Sequence, residues 1–329
     1  MDTVRWGILS TAKIATTKVI PGMRRAARAE VVAIASRDAA TAQAAADRLG
    51  IPRAHGSYEA LLDDPDLDAI YIPLPNHLHA AWAIKALQAG KHVLCEKPLA
   101  MTAADAQAMV AAADAAGRRL VEAFMYRHHP SWLAVRRLVD EGRIGDLCAV
   151  DSWFSYHNDD PANIRNIAAY GGGALYDIGC YNVNLSRWLF GGEPVSVSGA
   201  IRRDPASGVD ILTSGTLGFA NGVATFTCAT RVEPDQRVHI YGTTGRIVVE
   251  IPFNIPPDRP SRVQLVAGGQ PPVAPGVEVL EFPPADQYAC QADAFAAMIL
   301  DGAEPQVPPS DAVANLRVIE ELFRVAAER

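Results

Sequence analysis

The chain lacks the residue patterns that mark several large classes of protein. Its five cysteines (Cys95, Cys148, Cys180, Cys228 and Cys290) are scattered over 329 residues. They form no Cys-x-x-Cys pair and an odd total, which leaves neither a zinc spacing nor a disulfide framework. No metal site is expected; free thiols in a reducing, cytoplasmic setting are. No apolar run approaches the roughly 20 residues that span a bilayer, so no membrane partner is expected. The opening Met1-Asp2-Thr3-Val4-Arg5 lacks the basic and apolar regions of an export signal. Positive charge is in deficit: 30 Lys and Arg against 37 Asp and Glu leave a formal net charge of −7. That balance argues against nucleic acid as a partner.

What is present is an ordinary globular composition, 49% hydrophobic and 20% charged, in a chain long enough for two cores. Up to about residue 123, short apolar runs alternate with alanine-rich helical stretches. Strands are predicted over 4–9, 31–35, 69–72, 92–95 and 119–123, and helices over 39–49, 77–89 and 102–116. Gly50, Gly90 and Gly117 stand just past the helix ends. Alternation of this kind predicts a doubly wound, parallel βαβ domain over residues 1–123. From 124 to 329 the pattern changes to a helix over 131–141 and then many β-type runs, over 147–156, 195–202, 211–219, 223–229, 237–241 and 246–250. One helix, 173–190, interrupts them. An α+β domain on a large, open, mostly antiparallel sheet is predicted. Residues 251–276, rich in proline and glycine, read as a long connection. Helices over 286–300 and 310–328 close the chain, and the last is expected to reach back to the first domain.

Chemistry concentrates at the ends of the predicted strands. His92-Val93-Leu94-Cys95-Glu96-Lys97-Pro98 ends a buried strand in an acid, an amine and a proline, at the carboxyl edge where open α/β sheets hold ligands. The first strand runs into Ser10-Thr11-Ala12-Lys13-Ile14-Ala15. Small residues there stand in for the glycines of a dinucleotide fingerprint and require backbone angles open to non-glycine residues. Ser36-Arg37 follows the second strand, where a ribose-binding carboxylate would favour NAD. A guanidinium suits a 2′-phosphate, so NADP is preferred over NAD, with Asp38 the dissenting neighbour. After the fourth strand, Leu74, Pro75, Asn76 and His79 line an extended loop and helix start; Asn76 is equally readable as a helix cap, and His79 as facing a cofactor or as a helix-surface residue. Further on, Asp177 and Tyr181 lie four apart on one helix face. The preceding glycines 171–173 would let backbone approach a ligand.

These segments, in this order, resemble the Gfo/Idh/MocA family of NAD(P)-dependent oxidoreductases over nearly the whole chain. The second-domain resemblance rests on Gly171-Gly172-Gly173-Ala174-Leu175-Tyr176-Asp177-Ile178-Gly179-Cys180-Tyr181. The resemblance implies Lys97 as a catalytic lysine at the substrate oxygen, a cis bond before Pro98, and Asp177 with Tyr181 facing the nicotinamide. Tyrosine at 181, where many members have histidine, resembles the branch of glucose–fructose oxidoreductase, xylose dehydrogenase, dimeric dihydrodiol dehydrogenase and sugar 3-ketoreductases. A phenol is a poor base near neutral pH unless a cation assists, and Lys97 is the expected cation.

The expected activity is hydride transfer between nicotinamide and a secondary alcohol or ketone of a sugar or polyol. Cofactor contacts are assigned to Ser10, Thr11, Ala12, Lys13, Ile14, Ser36, Arg37, Leu74, Pro75, Asn76, His79, Glu96, Lys97 and Arg165. Arg127, His128, Gln287 and Tyr288 are secondary candidates, and residues 157–166 are expected to choose the substrate. Two alternatives stand beside this reading, an NAD-dependent glycosidase working by transient oxidation and a non-catalytic NADP-binding redox sensor. A homodimer or homotetramer formed through the second-domain sheet is expected.

Overall fold

The computed structural model describes residues 2–268 and 277–327. The chain forms two compact units. The first takes the chain up to His128 together with Asp286–Val313; the second takes His129–Ala285 and the chain from Ala314 onward. The expected boundary at 123/124 therefore falls short of Phe124–His128, and the chain re-enters the first unit for a second pass.

In the first unit, strands β1 (Val4–Ile8), β2 (Ala29–Ala35), β3 (Arg53–His55), β4 (Ala69–Ile72), β5 (His92–Cys95) and β6 (Leu120–Glu122) form one sheet. Their order is β3-β2-β1-β4-β5-β6, with all pairs parallel. Helix α1 (Ile20–Met23) continues a π-turn at Ala15–Val19. It is followed by α2 (Ala39–Leu49), α3 (Tyr58–Leu62), α4 (Asn76–Gln88) and α5 (Ala103–Ala116). Strands β4 and β5 are covered on both faces, which is why they read as unbroken apolar runs. The order reverses between β1 and β4, which puts the switch point, the preferred ligand position of such sheets, at the carboxyl ends of those two strands.

The second unit begins with α6 (Pro130–Asp140) and β7 (Leu147–His157). A π-turn at Leu175–Gly179 winds directly into α7 (Cys180–Phe190). Then come β8 (Ser196–Arg203), β9 (Asp210–Phe219), β10 (Gly222–Ala229), β11 (Arg231–Gly242), β12 (Gly245–Val249), β13 (Ser261–Ala267) and β14 (Glu278–Phe282). The eight strands are ordered β14-β13-β12-β11-β7-β10-β9-β8. Only β7 and β10 run parallel; the other pairs are antiparallel. Asn182, fully buried on α7, donates to Ser152 Oγ of β7 at 2.8 Å.

Helix α8 (Gln287–Leu300) belongs to the first unit: Phe295 meets Trp6 of β1 with ring centroids 4.9 Å apart. Helix α9 (Pro309–Ala327) continues into the second unit, where Asn315 Nδ2 donates to the Cys180 carbonyl at 3.2 Å. The connection expected over 251–276 is corrected by β13, whose Val263 and Leu265 are buried. Residues 269–276, and Glu328 at the expected helix end, lie outside the described residues. The five cysteines are free thiols.

Candidate active site

The first unit gathers its chemistry at the carboxyl ends of β1, β2, β4 and β5. After β1, Ser10 Oγ accepts from the Ala12 amide at 2.9 Å and closes the turn. Among the described residues no non-glycine residue has positive φ, so Ser10 and Ala12 build this turn without the angles that glycine alone tolerates. Thr11, Ala12 and Ile14 are half-buried and Lys13 is exposed.

At the end of β2, the carboxylate of Asp38 is committed elsewhere. Its Oδ1 accepts from the Thr41 amide at 2.7 Å and the Thr41 hydroxyl at 2.6 Å, capping α2. Those bonds hold its pKa below the ordinary carboxylate value. Ser36 Oγ accepts from the Asp38 amide, and Arg37 is exposed. Tyr58, which opens α3 behind its cap Ser57, is raised by burial against the opposing influence of Arg37 and Ser10. It therefore belongs with these two residues, and the sequence reading had missed it.

The loop after β4 departs from expectation at two residues. Pro75 occupies the cap position of α4 and no side chain caps the helix, so Asn76 is the first helical residue and not a cap. Leu74 is buried and Pro75 half-buried. His79 is fully buried, with Nδ1 2.9 Å from the Pro98 carbonyl and Nε2 2.7 Å from the Leu74 carbonyl. Burial pushes its pKa below the ordinary value, against the pull of the two carbonyls. With both ring nitrogens on backbone oxygens, His79 is corrected from a cofactor contact or surface residue to a brace between two loops.

That brace bears directly on Lys97. The Lys97–Pro98 bond is cis, and Lys97 is half-buried at the end of β5. On one side His79 meets the Pro98 carbonyl; on the other the Leu99 amide donates to Glu122 Oε1 at 2.7 Å. Glu122, buried at the end of β6, carries no local signal of this role. Glu96 accepts from the Tyr71 hydroxyl at 2.6 Å. Burial and then the Glu96 charge hold both Tyr71 and Tyr288 protonated, above the ordinary phenol value. Arg127 donates to the Gln306 carbonyl at 3.1 Å. Burial pushes His128 down to about 4. Gln287 is buried at the start of α8.

In the second unit, Asp177 sits on the π-turn and Tyr181 in the first turn of α7. Tyr156 donates to Asp177 Oδ2 at 2.6 Å, and Arg165 Nε donates to the same oxygen at 2.8 Å. Tyr181 is 5% exposed, edge-on to Phe154 at 5.7 Å and tilted against Phe253 at 5.3 Å. Two of the three glycines before the turn, Gly172 and Gly173, are required by the chain's own packing. A Cβ on Gly172 would lie 2.5 Å from the Arg165 carbonyl oxygen, and one on Gly173, at φ 118°, 2.0 Å from Asp210 Oδ1. Asp210, buried in β9, accepts from the Leu175 amide at 2.7 Å and so caps the helical run that carries Asp177 and Tyr181.

Two family models match this arrangement. Residues 4–124 match an oxidoreductase family with an NAD-binding Rossmann fold, and residues 132–248 match the GFO/IDH/MocA C-terminal domain. The chain belongs to the GFO/IDH/MocA family of oxidoreductases. Among this family's members it is 44% identical to an oxidoreductase of Rhizobium meliloti, over 100% of this chain and 98% of that one. It is 39% identical to an NADP(+)-dependent D-xylose 1-dehydrogenase of Haloferax volcanii, over 98% and 97%. A 3-ketoreductase of Actinomadura kijaniata, crystallised with NADP and TDP-benzene, superposes with TM-score 0.89 at 31% identity, covering 98% of this chain and 97% of that one. Crystal structures of that reductase include a lysine-to-alanine and a tyrosine-to-phenylalanine variant. The two replaced positions are as far apart along its chain as Lys97 and Tyr181 are here.

The first unit's residues fit a dinucleotide bearing a 2′-phosphate. The β1 turn is compact and closed by its own serine, the carboxylate that would meet a ribose diol is spent on a helix cap, and an exposed guanidinium stands beside it.

Proposed function

We propose that this oxidoreductase prefers NADP and interconverts a secondary alcohol and ketone on a sugar or related polyol. The observation that carries the reading is the Lys97 loop, fixed at the carboxyl end of β5 by His79 and Glu122. An amine held in this way is suited to hydrogen-bond a substrate oxygen and to stabilise charge that develops there. Tyr181 is assigned the exchange of the hydroxyl proton, and Asp177 the orientation of the substrate. The matching separation of a lysine and a tyrosine replaced in the Actinomadura reductase supports the pair. Bound NADP would supply or accept the hydride. Around it, Ser10, Thr11, Ala12, Lys13 and Ile14 would cradle the pyrophosphate, Ser36 and Arg37 the 2′-phosphate, and Leu74, Pro75, Asn76 and Glu96 the nicotinamide half. Arg165 moves in this reading from the cofactor to the partner of Asp177.

The test is a fluorescence titration with NADPH and with NADH, followed by a panel of sugars with nicotinamide absorbance as the readout. Tighter NADPH binding, lost on Arg37→Ala, with sugar-dependent absorbance change is the expected result. NADPH binding without turnover of any sugar would overturn the assigned activity, and equal binding of both nucleotides would overturn the cofactor preference.

A further inference from the structure

Tyr156 and Arg165 reach the same oxygen of Asp177, but they are unlike donors. Tyr156 lies near the end of β7, between Ser155, which pairs with both β10 and β11, and His157, which pairs with β11. Arg165 comes from the short turn Ile164–Asn166, and its side chain is 41% exposed. An exposed guanidinium is screened by solvent and must immobilise a long side chain to hold its partner. A phenol on a paired strand has little such freedom to lose. Burial, and after it the Asp177 charge, push the Tyr156 hydroxyl well above its ordinary value. Across the working pH range it keeps its proton and stays a donor to Asp177.

We propose that Tyr156 is the positioning residue that fixes the Asp177 carboxylate toward substrate, with Arg165 as an exchangeable second donor. The inference rests on the reading above that Asp177 orients the substrate. Groups of this unit that face Asp177 come from several elements. Tyr156 comes from β7, Arg165 from its turn, and Cys228 from β10, where burial keeps the thiol protonated. Asp210 of β9 lies one turn earlier, occupied by the Leu175 amide. Cys180, next along the helix, donates through sulfur to the Asp177 carbonyl at 3.7 Å. Tyr156 is thus a fixed hydrogen-bond donor to Asp177, and nothing in its local sequence marks it.

Tyr156→Phe removes that one hydroxyl and keeps the ring. Its expected effect is a fall in kcat of about ten- to a hundredfold, the scale of a hydrogen bond to a charged group, with the NADPH dissociation constant unchanged. The acid limb of kcat/KM against pH should move to higher pH, because the carboxylate loses a donor that favours its charged form. Because the two donors share an oxygen, Tyr156→Phe and Arg165→Ala should combine non-additively. Carboxyl carbon NMR of 13C-aspartate-labelled protein, assigned with Asp177→Asn, reads the same displacement without turnover. If the wild-type protein turns over no sugar, the activity assignment fails on its own, and the Asp177 titration still decides the role of Tyr156. A folded Tyr156→Phe protein with an unmoved Asp177 titration and an unmoved acid limb would overturn the proposal. So would a variant that loses activity, NADPH binding and native near-ultraviolet dichroism together, since that pattern marks a purely structural role.

Discussion

The loop that carries Lys97 is held by the residues that follow it. The carbonyl of Pro98 faces His79 and the amide of Leu99 is bonded to Glu122, so replacing the amine should leave the loop in place. Lys97→Ala is therefore expected to lower kcat by about 10²- to 10⁴-fold, the usual worth of a positioned proton-handling group. NADPH affinity should change little, and stopped-flow turnover with parallel nucleotide titration checks both. Residues differ in how far their neighbours in sequence reveal them. Lys97 stands out because it ends an apolar run at a proline. Asp38 was ambiguous, although Thr41 three positions later is an N-cap signature that could have resolved it. The roles of His79, Glu122 and Tyr156 were hidden because their partners lie 19, 23 and 21 residues away in the chain, and no local pattern encodes such a pairing.

At the scale of elements, the π-turn at Leu175–Gly179 depends on what precedes it. Gly173 takes φ 118° with Asp210 against it, and that same carboxylate accepts from the Leu175 amide. Gly173→Ala should strain the backbone and displace the cap, a combined cost of about 2–4 kcal/mol, measurable by urea denaturation. A loss below about 0.5 kcal/mol, the range of neutral surface substitutions, would contradict this account. Most elements were legible from periodicity and punctuation: β4 and β5 have the predicted bounds, and Gly50 and Gly117 end their helices in the left-handed region. Two of the strands missing from that reading share a cause. Strand β3 has three half-buried residues and no apolar run, and β13 stands among prolines and glycines that read as a loop. Both are strands because a neighbouring strand pairs with them, and pairing leaves little trace in a short local window.

For the molecule as a whole, acid should be destabilising well above the carboxylate range. Burial holds His92 and His128 at about 4 against the ordinary 6.5, and His92 Nδ1 accepts from the Arg119 amide, which requires the neutral ring. Between those values the unfolded chain binds more protons than the folded one, so stability is complete above about pH 6.5 and falls as pH drops toward 4. Urea midpoints should be lower at about pH 5 than at about pH 7, and His128→Gln should flatten that dependence. Connectivity gives a second whole-molecule prediction. A fragment ending at His128 lacks α8, whose Ala292, Phe295 and Ala296 are buried in the core around Trp6. It should show secondary structure without fixed near-ultraviolet dichroism, and a sharp, cooperative melt of that fragment would refute the prediction.

The same chain path sets the timetable of folding during synthesis. Protein domains commonly fold in the order in which they leave the ribosome. Here the first sheet emerges early but waits, its core open, until all of residues 129–285 have been translated and α8 arrives. The second unit in turn waits for Leu316, Ile319 and Leu322, buried on α9. The first unit closes when the segment up to Val313 has been added and the second only with α9, so a nascent chain that stalls before α8 emerges should hold two unfinished cores and look to chaperones like a client.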